Sequence, residues 1–169
     1  MSFKEVNIEQ VPFNPFHKIG REWMLITAGT EEKCNTMTAS WGGAGVLWGK
    51  NVATAYIRPQ RYTKEFVDAN DTFSLTFFNE QYRKALSLCG SASGRDGDKI
   101  GAAGLTPCFI DGTPAFEEAD MILICKKMYH SAIVPECFDL PENEVTWYPE
   151  NDYHVMYIAE ITKALIKEA

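Results

Sequence analysis

No uninterrupted apolar run in this chain is longer than five residues, as at positions 121–125 and 155–159. A membrane-spanning helix needs about 20 apolar residues, so these runs predict no membrane span. They are instead typical of short buried β-strands. The chain has 169 residues, 46% of them hydrophobic and 23% charged, which is the composition of an ordinary globular domain. We therefore expect one domain over residues 1–169, built mainly from short strands.

Turn residues and alternating patterns divide the chain into candidate elements. Strands are predicted at residues 22–28, 51–57, 71–78, 121–125 and 154–162. Short helices are predicted over residues 64–69 with Thr63 as the N-cap, over residues 81–88, and from Lys99 to Gly104 with Asp96 or Asp98 as the N-cap. The chain shows many short strands, few helices and no repeating strand–helix–strand pattern. This combination predicts a mainly β fold, a β-barrel with a few short helices.

The charge is acidic overall but basic in the middle of the chain. Sixteen Lys and Arg against 23 Asp and Glu give a formal net charge of -7, which disfavours nucleic-acid or anionic-membrane partners. Between residues 50 and 99, however, the chain has eight basic residues and only six acidic residues. All twelve glycines lie between residues 20 and 112. An anionic ligand is therefore expected in this middle region.

The cysteines and histidines indicate neither a metal centre nor a secreted protein. The five cysteines contain no Cys-x-x-Cys pair, and the three histidines form no His-Glu-x-x-His motif. The first ten residues lack the apolar core of a secretory signal. We therefore expect a cytoplasmic protein with reduced thiols and no bound metal.

The common phosphate-binding loops are incomplete in this sequence. Asn51 follows Gly49 and Lys50 where a Walker A motif needs Ser or Thr. Trp48 stands where a dinucleotide fingerprint that begins at Gly43 needs glycine or alanine. A dedicated dinucleotide domain is thus not expected, and a nicotinamide would have to stack directly on another bound ring.

Three other segments supply the groups that a flat, phosphorylated ligand needs. Residues 35–48 begin with alternating hydroxyls and become rich in glycine, so a flat ligand can approach the backbone. Residues 56–66 place Arg58 and Arg61 ahead of a predicted helix N-terminus, a suitable pair for a phosphate. Residues 91–105 form a glycine-rich turn that carries Ser91, Ser93, Arg95 and Lys99.

Five motifs occur in a recognisable order along the chain. They are Asn-x-Met-Thr-Ala-Ser-Trp from Asn35, Arg-Pro-x-Arg-x-Thr from Arg58, Phe-Ser-Leu from Phe73, Ser-Gly-Arg-Asp-x-Asp-Lys-Ile from Ser93, and Gly-Leu-Thr-Pro from Gly104. In this order the sequence, from about residue 23 to residue 161, resembles the flavin reductase-like family, close to its flavoredoxin branch. The resemblance implies an FMN-binding split β-barrel of Greek-key type that works as a homodimer.

The resemblance also implies a set of FMN-binding residues. The flavin ring and ribityl chain would lie along Asn35, Met37, Thr38, Ala39, Ser40 and Trp41. The phosphate would be held by Arg58, Thr63 and Lys99, with Arg61, Ser91 and Ser93 as further candidates. His154 matches a histidine that many relatives carry near the flavin, although Ala159 replaces the glycine that usually follows it.

The predicted function is therefore that of an FMN-dependent oxidoreductase. It would take hydride from NAD(P)H onto flavin N5 and pass electrons to free flavin or to a partner protein. Alternatives are a non-catalytic FMN carrier reduced by a separate reductase, and a barrel whose flavin site has decayed. His154 could orient the nicotinamide, pack beside Tyr153, or transfer a proton. The four tryptophans exceed what one small core needs and favour the homodimer.

Overall fold

The computed structural model describes residues 2–168, most of which lie in or beside one antiparallel sheet of eight strands. The strands are β1 (Phe3–Val6), β2 (Met24–Gly29), β3 (Cys34–Ala39), β4 (Gly42–Leu47), β5 (Lys50–Ile57), β6 (Thr72–Phe77), β7 (Pro107–Ile110), β8 (Thr113–Phe116), β9 (Met121–Ala132) and β10 (Val155–Lys167). The helices are α1 (Pro15–His17), α2 (Tyr62–Ala69), α3 (Arg83–Ser91), α4 (Lys99–Ala102) and α5 (Pro141–Trp147). Single 3-10 turns lie at Ile8–Gln10, Glu80–Tyr82 and Pro135–Cys137, and a π-helical turn at Lys18–Glu22.

The strand order brings the two ends of the sheet together. The order is β3-β2-β6-β9-β10-β5-β4, with β1 added to β10, while β7 and β8 form a separate hairpin. The terminal strands β3 and β4 are consecutive in the chain and are joined only by Ser40 and Trp41. The sheet must therefore curve into a barrel that is split between β3 and β4. The predicted mainly β fold, a barrel with a few short helices, is confirmed.

Both faces of the central strand β6 are buried. Phe73, Leu75 and Phe77 pack inside the barrel with the apolar side chains of β2. On the opposite face the polar residues Ser74 and Thr76 are also fully buried. The hydroxyl of Ser74 donates to the carbonyl oxygen of Pro114, because the β7–β8 hairpin covers this face.

Two strands run further than their apolar sequences predicted. Strands β9 and β10 reach Ala132 and Lys167, although they were predicted to end at residues 125 and 162. Their register shifts between Ile158 and Ala159, and again after Ile161. Beyond these irregularities the ladder continues to Ile166, and Ala164 and Leu165 are buried in the core.

Two helix starts differ from the prediction. Helix α3 begins at Arg83, not at residue 81, because a 3-10 turn occupies Glu80–Tyr82. Arg61, not Thr63, is the N-cap of α2, and its side chain makes no capping hydrogen bond. Of the two candidates for α4, Asp98 is the cap, since its carboxylate accepts from the backbone N–H of Gly101. Within residues 2–168, no helix is long and apolar enough to cross a membrane.

Candidate functional site

A cavity of about 230 Å³ follows the end of β3 into the turn before β4. It is lined by Met37, Thr38, Ala39, Ser40, Trp41, Tyr56, Arg58, Arg61 and His154, and we call it the β3 cavity. Successive side chains of a strand point to opposite faces, so three consecutive lining residues of β3, Met37 to Ala39, place the cavity along an edge of the strand. Because β3 ends the sheet, that edge offers backbone N–H and C=O groups to a planar ligand.

A second cavity, of about 360 Å³, adjoins the first at Met37, Arg58 and Arg61. We call it the lysine cavity, because the buried Lys99 lies in its wall. Its other lining residues are Gln60, Tyr62, Thr63, Ser91, Ala92 and Ser93. The structure thus brings together the arginines, hydroxyls and lysine that the sequence assigned to a phosphate.

Lys99 is the most deeply buried cation of this region, with 6% of its surface exposed. Its Nζ donates to the carbonyl oxygens of Cys89 and Ala92, each at 3.0 Å. Burial lowers the pKa of Lys99. An ammonium group has three donors, and neither carbonyl oxygen carries a full charge. A third donor and a positive charge therefore remain for an anion.

The two arginines are both anchored to the protein. Arg61 donates from Nη1 to the carbonyl oxygen of Gly90 at 2.8 Å, and burial lowers its pKa. Arg58 forms an ion pair with the carboxylate of Asp152 at 2.6 Å and donates to the carbonyl oxygen of Trp147 at 2.8 Å. Arg58 therefore ties the segment before β10 to the end of β5, besides lining both cavities.

Asn35 lies behind the two cavities, not in their lining. Its Nδ2 donates to Thr63 Oγ1 at 2.8 Å, and both side chains are buried. A Cβ atom on Gly94 would come within 2.1 Å of Asn35 Oδ1, so glycine is needed at this position. Asn35 thus links β3, the first turn of α2 and the loop after α3.

The hydroxyls that alternate along β3 have different surroundings. Thr36 is fully buried and exchanges a hydrogen bond with Thr27 at 2.8 Å. Thr38 donates to the carbonyl oxygen of Leu86. Ser40 is exposed at the mouth of the β3 cavity. Of this row, only Ser40 is therefore fully available to a ligand.

His154 is buried at the closed end of the β3 cavity, with 8% of its surface exposed. Its Nδ1 lies 2.8 Å from the hydroxyl of Tyr148, and its ring centre lies 5.2 Å from that of Trp41. Burial, assisted by the positive charge of Arg58, lowers the pKa of His154 to about 4. At neutral pH the imidazole is therefore uncharged and can position a ligand through a hydrogen bond.

An aromatic wall closes the outer side of the β3 cavity. Trp41 packs edge-to-face on Trp147 with 5.0 Å between ring centres, and both remain partly exposed. Sequence reasoning missed Trp147, Tyr148 and Asp152, which no motif marks and which reach the site only through folding. Tyr56 could have been found, because it lies two residues before Arg58 and so on the same face of the strand.

A third cavity, of about 330 Å³, opens on the other side of β3. It meets the β3 cavity at Thr38 and Ser40 and the lysine cavity at Ser91. Trp23 forms one wall, and the remaining lining residues are Leu86, Ser87 and Gly90. We call it the Trp23 cavity. The three cavities together form a branched groove around the end of β3.

The described part of the chain, residues 2–168, contains no group of three or more His, Cys, Asp or Glu side chains that could hold a metal ion. The groove instead offers cations, hydroxyls, an open strand edge and aromatic walls. These groups match an anionic ligand with a planar ring.

Comparison with known proteins gives one family match and several structural neighbours. The family model described as "Flavin reductase like domain" matches residues 16–169. An FMN-binding domain of a flavin reductases-like enzyme from Shewanella baltica has a TM-score of 0.70 at 18% identity, over 98% of this chain and 77% of that one. Flavoredoxin from Methanosarcina acetivorans gives 0.67 at 21% identity, over 87% and 69% of the two chains.

An NADH:FAD oxidoreductase from Streptomyces globisporus is also similar, with a TM-score of 0.66 at 14% identity. The alignment covers 86% of this chain and 75% of that one. A search of curated proteins finds no significant match. At these identities the structural neighbours establish the fold.

Proposed function

Because the chain belongs to the flavin reductase-like domain family, we propose that it binds FMN and transfers electrons as an NAD(P)H-dependent oxidoreductase. The sequence-based assignment to this family and its split β-barrel is confirmed. The observation that carries the functional proposal is the groove, where a buried cation and an open strand edge lie in adjoining cavities. When bound, FMN supplies the hydride-accepting chemistry.

The lysine cavity is proposed to hold the phosphate of FMN. Lys99 contributes its free donor and its charge, and Ser91 and Ser93 add hydroxyls. The first residues of α2, Tyr62 and Thr63, also line this cavity, and the N-cap Arg61 makes no side-chain capping hydrogen bond there. The ribityl chain then passes Met37, and the ring lies along β3 toward Trp41.

His154 is proposed to position the nicotinamide ring. Its uncharged imidazole is fixed by Tyr148 and forms part of the β3 cavity wall. A histidine with a pKa of about 4 is almost entirely in its neutral form at neutral pH, so the acidic imidazolium that would donate a proton is scarce. These features support positioning over proton transfer among the three roles open to this residue.

The function is tested by titrating the purified apoprotein with FMN and then adding NADH or NADPH without oxygen. We expect saturable FMN binding and bleaching of the flavin absorbance by at least one nicotinamide. Absence of FMN binding would leave only the decayed-site alternative. Tight FMN binding without reduction by either nicotinamide would support the carrier alternative, which the similarity to flavoredoxin also favours.

His154→Ala is expected to leave FMN affinity nearly unchanged and to slow flavin reduction by NAD(P)H at least tenfold. The loss corresponds to about 1.4 kcal/mol of transition-state positioning. Stopped-flow bleaching measures the rate, and His130→Ala, an exposed histidine on β9, is the matched control. An unchanged reduction rate at normal FMN occupancy would assign His154 a structural role only.

A homodimer is proposed from the apolar surface around β4. Trp48 is 62% exposed and Val46 74% exposed, and Trp48 packs edge-on against the exposed Tyr129. Of the four tryptophans that favoured a dimer, only Trp23 is not exposed. Apolar surface of this kind is enriched at subunit interfaces.

Light scattering should therefore give twice the 19.0 kDa of the chain. Val46→Lys would shift the protein toward the monomer, because the new charge would be buried in the interface. A particle of 19.0 kDa would contradict the proposed homodimer. The cytoplasmic location and the electron-acceptor protein remain predictions from the sequence.

A further inference from the structure

Trp23 directly precedes β2 and has a backbone conformation that bulky residues avoid. Its φ is 70° and its ψ is 168°, in a region that is populated almost only by glycine. Such a conformation costs about 1–3 kcal/mol and persists only where the surroundings enforce it. Trp23 also directly follows the π-helical turn Lys18–Glu22, and π-helical turns are frequent at functional sites.

Arg83 holds the indole in place. Its guanidinium carbon lies 3.2 Å from the centre of the Trp23 ring. The guanidinium also donates to the carbonyl oxygens of Arg21 and Glu22, at 2.9 and 3.0 Å, which are the residues just before Trp23. One face of the indole is therefore covered by a cation that the strained turn itself anchors.

The other side of the indole forms the wall of the Trp23 cavity. Arg83 lines a different cavity, together with Arg21 and Glu22, and does not line the Trp23 cavity. The indole face away from Arg83 is therefore the one that the Trp23 cavity can use. Opposite the indole, Ser87, Gly90 and Ser91 are small and leave space above Leu86. A slot between an aromatic face and small side chains fits a flat ring.

The shared walls of the cavities indicate which ring this slot receives. The lysine cavity shares Met37, Arg58 and Arg61 with the β3 cavity but only Ser91 with the Trp23 cavity. An FMN whose phosphate lies beside Lys99 therefore continues into the β3 cavity. The Trp23 cavity remains open beside that ring, at Thr38 and Ser40.

We propose that the Trp23 cavity binds a second flat, non-cationic aromatic molecule, which stacks on the indole next to the bound FMN. The proposal rests on the FMN site proposed above. A cationic ring is disfavoured because Arg83, on the far face, draws electron density from the indole and repels a cation placed on the near face. The strain at Trp23 is explained by the need to present this face to the cavity.

The test measures equilibrium binding of 1-naphthol, a neutral bicyclic probe, to FMN-loaded oxidised protein. N-methylquinolinium, a cation of similar size, is the comparison probe. Ser87→Leu fills the slot from an exposed helix position, and Trp23→Leu removes the stacking surface. Lys84→Leu places the same side chain on α3 outside the cavity and is the matched control.

We expect saturable 1-naphthol binding that falls at least fivefold in Ser87→Leu and Trp23→Leu, with FMN affinity within twofold of wild type. The cation should bind at least fivefold more weakly than 1-naphthol. If both variants weaken FMN and riboflavin equally, the slot belongs to the flavin ring and the proposal fails. Absence of saturable 1-naphthol binding to the wild type also overturns it.

Misfolding of a variant and failure of FMN binding can each be distinguished from failure of the proposal. If Trp23→Leu does not fold, Ser87→Leu decides the result alone, since it leaves the strained turn intact. FMN binding is read independently from its absorbance. If FMN does not bind, the proposed function fails, while 1-naphthol binding to the apoprotein still reports on the Trp23 cavity.

Discussion

Lys99→Ala is expected to weaken FMN binding by about 1.5–3 kcal/mol, or roughly 10- to 150-fold, the range for a hydrogen bond to a charged group. Lys99 has two of its three donors on carbonyl oxygens, so one remains for the phosphate. Because the group is buried, water cannot replace the lost charge. Calorimetric titration of the apoprotein measures the change.

Riboflavin separates phosphate binding from support of the fold. It lacks the phosphate, so its affinity should be about the same in Lys99→Ala and in wild type. Lys84→Ala removes an exposed lysine from the neighbouring helix and should leave both affinities unchanged. An equal loss of riboflavin and FMN affinity would show that Lys99 only supports the loop at Cys89 and Ala92.

Acidification from pH 6.5 to 4 is expected to lower the free energy of unfolding of the apoprotein by about 3 kcal/mol through His154 alone. Unfolded histidine binds its proton below a pKa of about 6.5, whereas the folded residue does so only below about 4. Between these values the unfolded state holds more protons. The contribution of His154 to the free energy of unfolding is therefore fully present above pH 6.5 and is lost as the pH falls toward 4.

Urea denaturation at pH 7 and pH 4.5 measures this dependence. His154→Gln should remove the histidine contribution, so its stability should change less than that of the wild type over the same interval. His130→Gln, at an exposed position on β9, should retain the wild-type dependence and controls for the carboxylates that titrate in this range. Equal slopes in His154→Gln and wild type would contradict the expectation.

The sequence predicted the barrel because the strand signals are local. The alternation of Phe73, Leu75 and Phe77 marks β6 without reference to the rest of the chain. Strand β4 was not predicted, since Gly42, Gly43 and Gly45 have low strand propensity and are held by pairing with β5. Helix α5 carries no buried residues, so no apolar periodicity indicated it.

The candidate site was predictable where its residues cluster in sequence. Positions 37–41, 58–63 and 91–99 all contribute to the groove, as the motifs indicated. Their individual partners were not predictable. The pairing of Arg58 with Asp152 and of Asn35 with Thr63 joins segments far apart in the chain, and only the folded barrel brings them into contact.

The central position of β10 has a consequence for biosynthesis. This strand pairs with β5, β9 and β1, yet it is the last of the ten strands to leave the ribosome. Until residues 155–167 emerge, β5 and β9 have no strand between them, and the two halves of the barrel stay apart. His154 and Asp152, which precede β10, reach their partners only at this stage. The backbone edges of β5 and β9 that pair with β10 therefore stay unpaired until this strand has been synthesised.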